Sequence, residues 1–301
     1  MNLRIVDTTS NSDLKSRINM QRARIGVLNE RIATGKRINR PSDDPGGTQK
    51  VLNLRTSQVE IEQFKSNANA ASQKLTFADD SLNGYETVME RVRTLIAQGM
   101  SGTGTPATQA SIAAEVQSLR GRILNIANTK NGDEYIFGGT RQTEPPFDPA
   151  TALPAEKIAA PQYVQIEPGT NAIAVGVVAE NIFSDASSNI FLDLDAAITA
   201  LRGTGDPAAD RAALESTMGR LSVYRDQVTS AHATVGANMN ATDLALDNLT
   251  MSFLALDERA SSIEDADYAE TALGLADAQR NLDAILQIAA RGTRSMFDFM
   301  G

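Results

Sequence analysis

Between Leu54 and Ile96 every seventh residue is apolar: Leu54, Ile61, Ala68, Leu75, Leu82, Met89 and Ile96. Three residues after each of the first six stand Ser57, Phe64, Ala71, Ala78, Tyr85 and Val92, which supply a second seam. An apolar period of seven sustained over this length is the signature of a coiled-coil helix. At about 1.5 Å per residue the helix is roughly 60 Å long, and a compact core does not bury a stripe that long and narrow. It requires other long helices alongside.

The chain supplies them. Alternating steps of four and three run through Leu214, Met218, Leu221, Arg225, Val228, His232, Val235, Met239, Thr242, Leu246, Leu249, Phe253, Leu256, Ala260 and Ile263, interrupted only by Arg225, His232 and Thr242. A shorter match, Ile112, Val116, Leu119, Ile123 and Ile126, precedes the turn signal Asn131-Gly132. Helices that share a seam make a rod. We expect its core to contain Leu54, Ile61, Leu75, Leu82 and Met89 from the first long helix and Leu246, Leu249, Phe253 and Leu256 from the second.

Around this frame the elements follow in order. Residues 1–13 are polar and aperiodic and read as extended or disordered. A helix then carries Leu14, Ile18, Ile25, Leu28 and Ile32, with Gln21 in the missing seam position, and Thr34-Gly35 ends it. A loop rich in proline and glycine follows. Asp44 is placed to cap the long helix with Pro45 in its first turn, and that helix runs to about Gln98. Thr105-Pro106 repeats the signal for a helix ending near Lys130, and Asp206-Pro207 repeats it for the second long helix, which ends near Ile263. Between them Glu134 to Phe137, Tyr163 to Ile166 and Ala172 to Val178 have strand character, separated by proline-rich stretches, and Asn189 to Arg202 is helical. After a break at Ser261 to Asp265, a last helix follows the seam Tyr268, Ala272, Leu275, Gln279, Leu282, Leu286, Ala289, Thr293 and Met296.

The expected fold is therefore mainly α with a small β insert: a long coiled-coil helical bundle. The expected segments are an N-terminal assembly segment (1–44), the first part of the rod (45–133), a β-rich insert (134–188), the second part of the rod (189–263) and a C-terminal assembly helix (264–301). An isolated amphipathic helix of about 20 residues is marginal in water. The end seams, Leu14, Ile18, Ile25, Leu28 and Ile32 on one side and Leu275, Leu282, Leu286, Ala289 and Met296 on the other, are thus expected to be disordered in the free monomer and to order against neighbouring molecules.

Charge separates the two ends. Residues 1–50 hold ten Lys/Arg against five Asp/Glu, a net of +5, and residues 257–301 hold four against nine, a net of −5. Arg17, Arg22 and Arg24 are expected to pair with Glu264, Asp265 and Asp267. Each exposed pair contributes only about 0–1 kcal/mol, so charge steers while apolar burial holds. The whole chain carries −9, which argues against nucleic acid and against an anionic membrane as partners. It has no apolar run of signal-peptide or membrane-spanning length. The chain has no Cys, which excludes disulfides and thiol catalysis but leaves the compartment open.

Nothing else in the sequence builds a reaction centre. His232 is the single histidine, so triads and multi-histidine metal sites are excluded, and its seam position marks it as a packed or hydrogen-bonded core residue. Gly35-Lys36 resembles the tail of a phosphate loop, but Glu30 stands where glycine is needed and Arg37 where Ser or Thr must hold magnesium. Gly99-Met100-Ser101-Gly102 falls one residue short of a nucleophile elbow. Glu264, Asp265 and Asp267 lack the spacing of a calcium loop and read as helix-start caps that also pair with the basic N-terminal segment, and Ser42-Asp43-Asp44 is a capping cluster. We expect no enzyme, no cofactor and no metal; an activity carried by the insert is the remaining alternative.

Three stretches resemble the bacterial flagellin family, the filament subunits and their hook-associated relatives. They are Arg31-Ile32-Ala33-Thr34-Gly35-Lys36-Arg37-Ile38-Asn39-Arg40-Pro41-Ser42-Asp43-Asp44-Pro45, Glu134-Tyr135-Ile136-Phe137-Gly138-Gly139-Thr140 and Ile263-Glu264-Asp265-Ala266-Asp267-Tyr268-Ala269. The run from Arg40 to Pro45, the Tyr135-Ile136-Phe137-Gly138-Gly139 run and the ending Ser295-Met296-Phe297-Asp298-Phe299 are more similar to the hook–filament junction branch than to filament subunits. The resemblance covers roughly 1–140 and 190–301. It implies a structural protein of motility, exported unfolded by the flagellar type III apparatus with the help of an export chaperone. It further implies a ring of identical subunits outside the cell at the hook–filament junction, between the hook-side junction protein (hook-associated protein 1) and flagellin. The alternative it leaves is flagellin itself.

Overall fold

In the computed structural model the described residues are 3–101, 104–154, 160–169, 172–185 and 188–299, with side chains described between 12 and 290. The fold is mainly α. Among the described residues seven helices, α1 (Leu3–Thr34), α2 (Pro45–Met100), α3 (Pro106–Ala127), α4 (Glu180–Phe183), α5 (Ile190–Arg202), α6 (Pro207–Glu264) and α7 (Tyr268–Phe299), carry two small hairpins. These are β1 (Lys130–Asn131) with β2 (Glu134–Tyr135), and β3 (Tyr163–Gln165) with β4 (Ala172–Ala174). The chain forms two compact units: residues 1–60 with 252–301, and residues 61–251.

Helix starts follow the local signals. Asp44 Oδ1 accepts from Gly47 N at 2.8 Å, the Thr105 hydroxyl accepts from Thr108 N at 3.3 Å, and Asp206 Oδ1 accepts from Ala208 N at 3.0 Å. Each satisfies an amide that the first helical turn leaves without an internal partner, and the proline that follows gives up no bond. Residues 3–13, read from composition as extended or disordered, instead belong to α1. No Gly or Pro interrupts the chain before Gly26, so the helix propagates backwards from Leu14, one bond per residue fixed, without a second nucleation.

In the unit of residues 61–251 the α2 seam is continuous: Ile61, Ala68, Leu75, Leu82, Met89 and Ile96 are buried, as are Ala71, Ala78, Tyr85 and Val92. α3 contributes Ile112, Val116, Leu119 and Ile123, and packs on α5. On α6 the seam steps aside at Arg225, which is exposed, and Tyr224 is buried in its place between Leu221 and Val228. Thr242 is buried with its hydroxyl returned to Asn238 O at 2.7 Å. The thick part of the core is aromatic. Phe183 packs at centroid distances of 4.7 Å from Tyr85, 5.7 Å from Phe137 and 5.9 Å from Phe147, and Phe191 lies 4.9 Å from Phe147. The four-residue α4, which has too few residues to show a period, delivers Ile182 and Phe183 to this cluster.

The strands are shorter than their patterns. β2 stops at Tyr135 because Phe137 turns inward and is buried, and α3 ends at Ala127 because Lys130 and Asn131 pair with Tyr135 and Glu134. The second hairpin sets Val164 opposite Ile173 and lies over α2 and α6, where Ile166 and Val175 pack with Ala68, Ala71 and Ala245. Asn67 and Asn238 donate to the carbonyls of Gln165 and Ala174 at 3.1 and 2.8 Å, tying the hairpin to each long helix. The alanines therefore form a shelf that admits the insert.

A candidate assembly interface

The unit formed by residues 1–60 and 252–301 pairs α1 with α7. Gln21 Nε2 donates to Ala278 O at 3.3 Å, and Leu28 lies against Gly274, so the two helices run antiparallel. On α1 the contact follows the expected seam: Leu14, Ile18, Gln21, Ile25, Leu28 and Ile32 are half-buried while their neighbours are mostly exposed. On α7 one row of the expected seam, Leu275, Leu282 and Ala289, faces α1 as expected, and the other row lies one residue from the expected line. Thr271 and Ala278 are buried and Leu275, Leu282, Ile285 and Ala289 half-buried, whereas Leu286 and Gln279 are exposed. The Met296 side chain lies outside the described residues. Thr271, Ala278 and Ile285 also recur every seven residues, so the sequence holds two overlapping registers, and the small Ala278 wins because it lets α1 approach.

This unit is inside-out. Among its described residues only Ile38, Val51, Ala260 and Ala278 are fully buried apolar side chains. Nine large ones, Met20, Val27, Leu52, Val59, Leu254, Tyr268, Leu273, Leu286 and Ile288, are exposed. Leu54, Phe253 and Leu256 are half-buried here, and in the other unit Leu246 is half-buried and Leu249 buried. At about 25 cal/mol per Å² of apolar surface, exposure on this scale is a large driving force toward another apolar surface, the mark of an interface.

A polar clamp fixes where the helices of this unit turn. The loop after α1 bridges Lys36 to Asp265 across an antiparallel pair, with Arg37 N donating to Glu264 O at 2.7 Å and Ala266 N to Gly35 O at 2.9 Å. Gly35 reaches this geometry at φ +71°. The Glu264 carboxylate takes Lys36 Nζ at 2.7 Å and Arg55 Nη2 at 2.6 Å. Burial pushes its pKa up, but the hydrogen bonds and charges of Lys36 and Arg55 outweigh burial and hold it below the ordinary value. Arg37 Nη2 spans Ile263 O at 2.7 Å and Asp44 Oδ2 at 3.1 Å. Asp44 is held below the usual carboxylate range by the Gly47 amide first and Arg37 second. A Cβ on Gly47 would come within 2.4 Å of Asp44 Oδ2 and 2.8 Å of Ile38 Cδ1, so the cap needs glycine there.

The charges expected to pair across the chain ends are thus distributed differently. Glu264 is taken by Lys36, in the loop that follows α1, and by Arg55 on α2. Asp265 accepts from the Ser261 hydroxyl, and Asp267 caps α7 through Glu270 N at 3.0 Å. Arg17, Arg22 and Arg24 are exposed on α1 and make no ion pair with the described residues of α7. Pattern reasoning missed Lys36 and Arg55 because side-chain partners more than 200 residues apart leave no periodic trace.

Two further polar sites lie in the other unit. Asp193, buried at the start of α5, accepts from the Tyr224 hydroxyl at 2.6 Å and Ser188 Oγ at 2.9 Å, with Arg220 Nε at 3.5 Å. Burial first, and then Asp193, raise the Tyr224 pKa. His232 sits half-buried on the α6 seam with Nδ1 3.1 Å from Asp79 Oδ1. Both arrangements tie helices together. Among the described residues no group of three or more His, Asp or Glu is placed to hold a metal ion, and no helix is long and apolar enough to cross a membrane.

Comparison with known proteins agrees with this architecture. The profile of the bacterial flagellin N-terminal helical region matches residues 5–142, and that of the bacterial flagellin C-terminal helical region matches 221–291, together more than half of the chain. Flagellar hook-associated protein 3 of Escherichia coli (strain K12) is 29% identical over 260 residues, spanning 80% of this chain and 82% of that protein. Flagellin of Bacillus subtilis (strain 168) is 29% identical over 255 residues, spanning 80% of each. The crystal structure of Xanthomonas campestris FlgL superposes with a TM-score of 0.62 over 69% of this chain and 99% of that one, at 18% identity, which speaks to the fold alone. The chain belongs to the bacterial flagellin family.

Proposed function

We propose that this chain is a structural subunit of the bacterial flagellum that acts as the adaptor at the hook–filament junction, joining hook-associated protein 1 to flagellin. The observation that carries this is the inside-out unit: among its described residues nine large apolar side chains are exposed against four apolar residues fully buried. A helical unit of this kind completes its burial only in a polymer. In this reading identical subunits form a ring outside the cell, having been exported with a chaperone. The paired α1 and α7 are loosely held in the dilute monomer and tighten on contact with neighbours, and the chain does mechanical work without catalysis. The similarity to hook-associated protein 3 of Escherichia coli supports the junction assignment.

The similarity to flagellin of Bacillus subtilis keeps filament subunit as the second reading. Seeded polymerisation separates the two. Purified chain added to filament fragments is expected to stop after a single layer, and continuous elongation would establish the filament subunit instead. Equal resistance of α1, α7 and the 61–251 unit to limited proteolysis in dilute solution would remove the idea of ends tightened by assembly.

A further inference from the structure

Two asparagines of the chain stand directly before a glycine, Asn83-Gly84 and Asn131-Gly132. In such a pair the side-chain carboxamide carbon lies within reach of the next backbone nitrogen, and glycine leaves that nitrogen unshielded because it has no Cβ. Ring closure between the two needs a backbone amide that is not already hydrogen-bonded and a chain free to turn about the asparagine. Both asparagines are exposed, so water reaches each. Local sequence treats them alike; the fold does not.

Asn83 lies in the interior of α2, where the Gly84 amide is one rung of the helix ladder and Asn83 Nδ2 donates to Asp79 Oδ2 at 3.1 Å. Cyclisation there would have to break that rung and open the middle of a 56-residue helix. Asn131 instead ends β1. Gly132 and Asp133 form the turn that leads to β2, with Asn131 opposite Glu134. Gly132 sits at φ +62°, with no atom within 4 Å of where a side chain would stand. Among the described residues none holds the Asn131 carboxamide by a hydrogen bond.

We infer that Asn131 is a site of spontaneous deamidation and that Asn83 is protected by its helix. Loss of the Gly132 amide proton to water or hydroxide lets the nitrogen form a bond to Asn131 Cγ. The Cγ–Nδ2 bond then breaks, Nδ2 takes up a proton and leaves as ammonia, and a cyclic succinimide remains. One water opens the ring, at Cγ to give aspartate or at the main-chain carbonyl to give isoaspartate, in which the backbone runs through the former side chain. Either product places a carboxylate opposite Glu134, whose own carboxylate holds Lys74 Nζ at 2.7 Å, and like charges directly opposite destabilise a strand pair. Isoaspartate also lengthens the backbone within a two-residue strand and so shifts its register. The hairpin that sets Ile136 N on Thr129 O at 3.0 Å, next to the buried Phe137, is expected to loosen. This chemistry belongs to the insert and holds for either reading of function above.

The test incubates the full-length chain under native conditions at mildly alkaline pH and maps its peptides by mass spectrometry, with isoaspartate scored by an isoaspartyl methyltransferase. Conversion at Asn131 is expected to be at least about tenfold faster than at Asn83, because only the latter must wait for a helix interior to open. In denaturant the two sites should convert at similar rates. Asn131→Gln, whose longer side chain closes a larger ring far more slowly, should show no product at 131 and leave the circular dichroism signal unchanged. Amide exchange at Ile136 is expected to quicken in aged wild type and to stay at its starting rate in aged Asn131→Gln. Equal conversion of the two asparagines in the folded chain, a difference that persists in denaturant, or an Asn131 that reacts only when the chain is denatured would each overturn the site. An aged, converted chain with unchanged exchange at Ile136 would overturn the loosening assigned to it.

Discussion

Glu264 shows how a single side chain is tuned by partners that arrive from elsewhere. Its carboxylate is only 15% exposed yet carries Lys36 and Arg55 directly, and its pKa is lowered from the ordinary 4.5. A depressed carboxylate pKa stabilises the folded clamp above the unfolded value and gives that stabilisation up as pH falls through the folded one. The amides of Arg37 and Ile38, which donate to Glu264 O, report on it. Their hydrogen-exchange protection is expected to be higher in wild type than in Glu264→Gln at neutral pH, the difference closing as pH drops below about 4.5. A difference that persists unchanged at pH near 3 would mean that ionisation of Glu264 plays no part. The presence of an acidic cluster at 264–267 is plain in the sequence; that its members split into a clamp, a hydroxyl contact and a helix cap is not, since each role depends on what packs beside it.

At the scale of elements, the β3–β4 hairpin and the alanine shelf depend on each other. Ala68 and Ala71 stand in the seven-residue pattern as ordinary seam positions, and nothing local tells a seam that faces a helix from one that faces a strand. The structure seats Ile166 and Val175 on them. Ala71→Leu adds three carbons where the site is only 1% exposed, and overpacking of this kind costs about 1–3 kcal/mol. The melting temperature of the variant is expected to fall and exchange at Val175 to quicken; an unchanged melting temperature would show that the hairpin is free to lift. α7 teaches the same lesson in reverse. Two overlapping registers coexist in its sequence, and the one containing Ala278 faces α1 because a methyl side chain allows the closer approach.

For the molecule as a whole, burial is divided between two units of opposite character. The unit of residues 61–251 holds the aromatic cluster and the continuous seams. A fragment of residues 61–251 is expected to unfold cooperatively by calorimetry, whereas a fragment lacking a sharp transition would show that its core needs the rest of the chain. The sequence by itself determined that long helices exist, where three of them begin, and which side chains of α2 face inward. Heptad spacing and the Asp44-Pro45, Thr105-Pro106 and Asp206-Pro207 starts are encoded within a few residues of where they act, and hydrogen bonds between residues three or four apart need no distant partner. Only the tertiary structure decided that Tyr224 replaces Arg225 in the core, that Ala278 faces α1, that the hairpin lies on alanine, and that Glu264 belongs to Lys36 and Arg55. Each of those choices is a comparison between faces of different elements, and its energy exists only once residues far apart in the chain have been brought into contact.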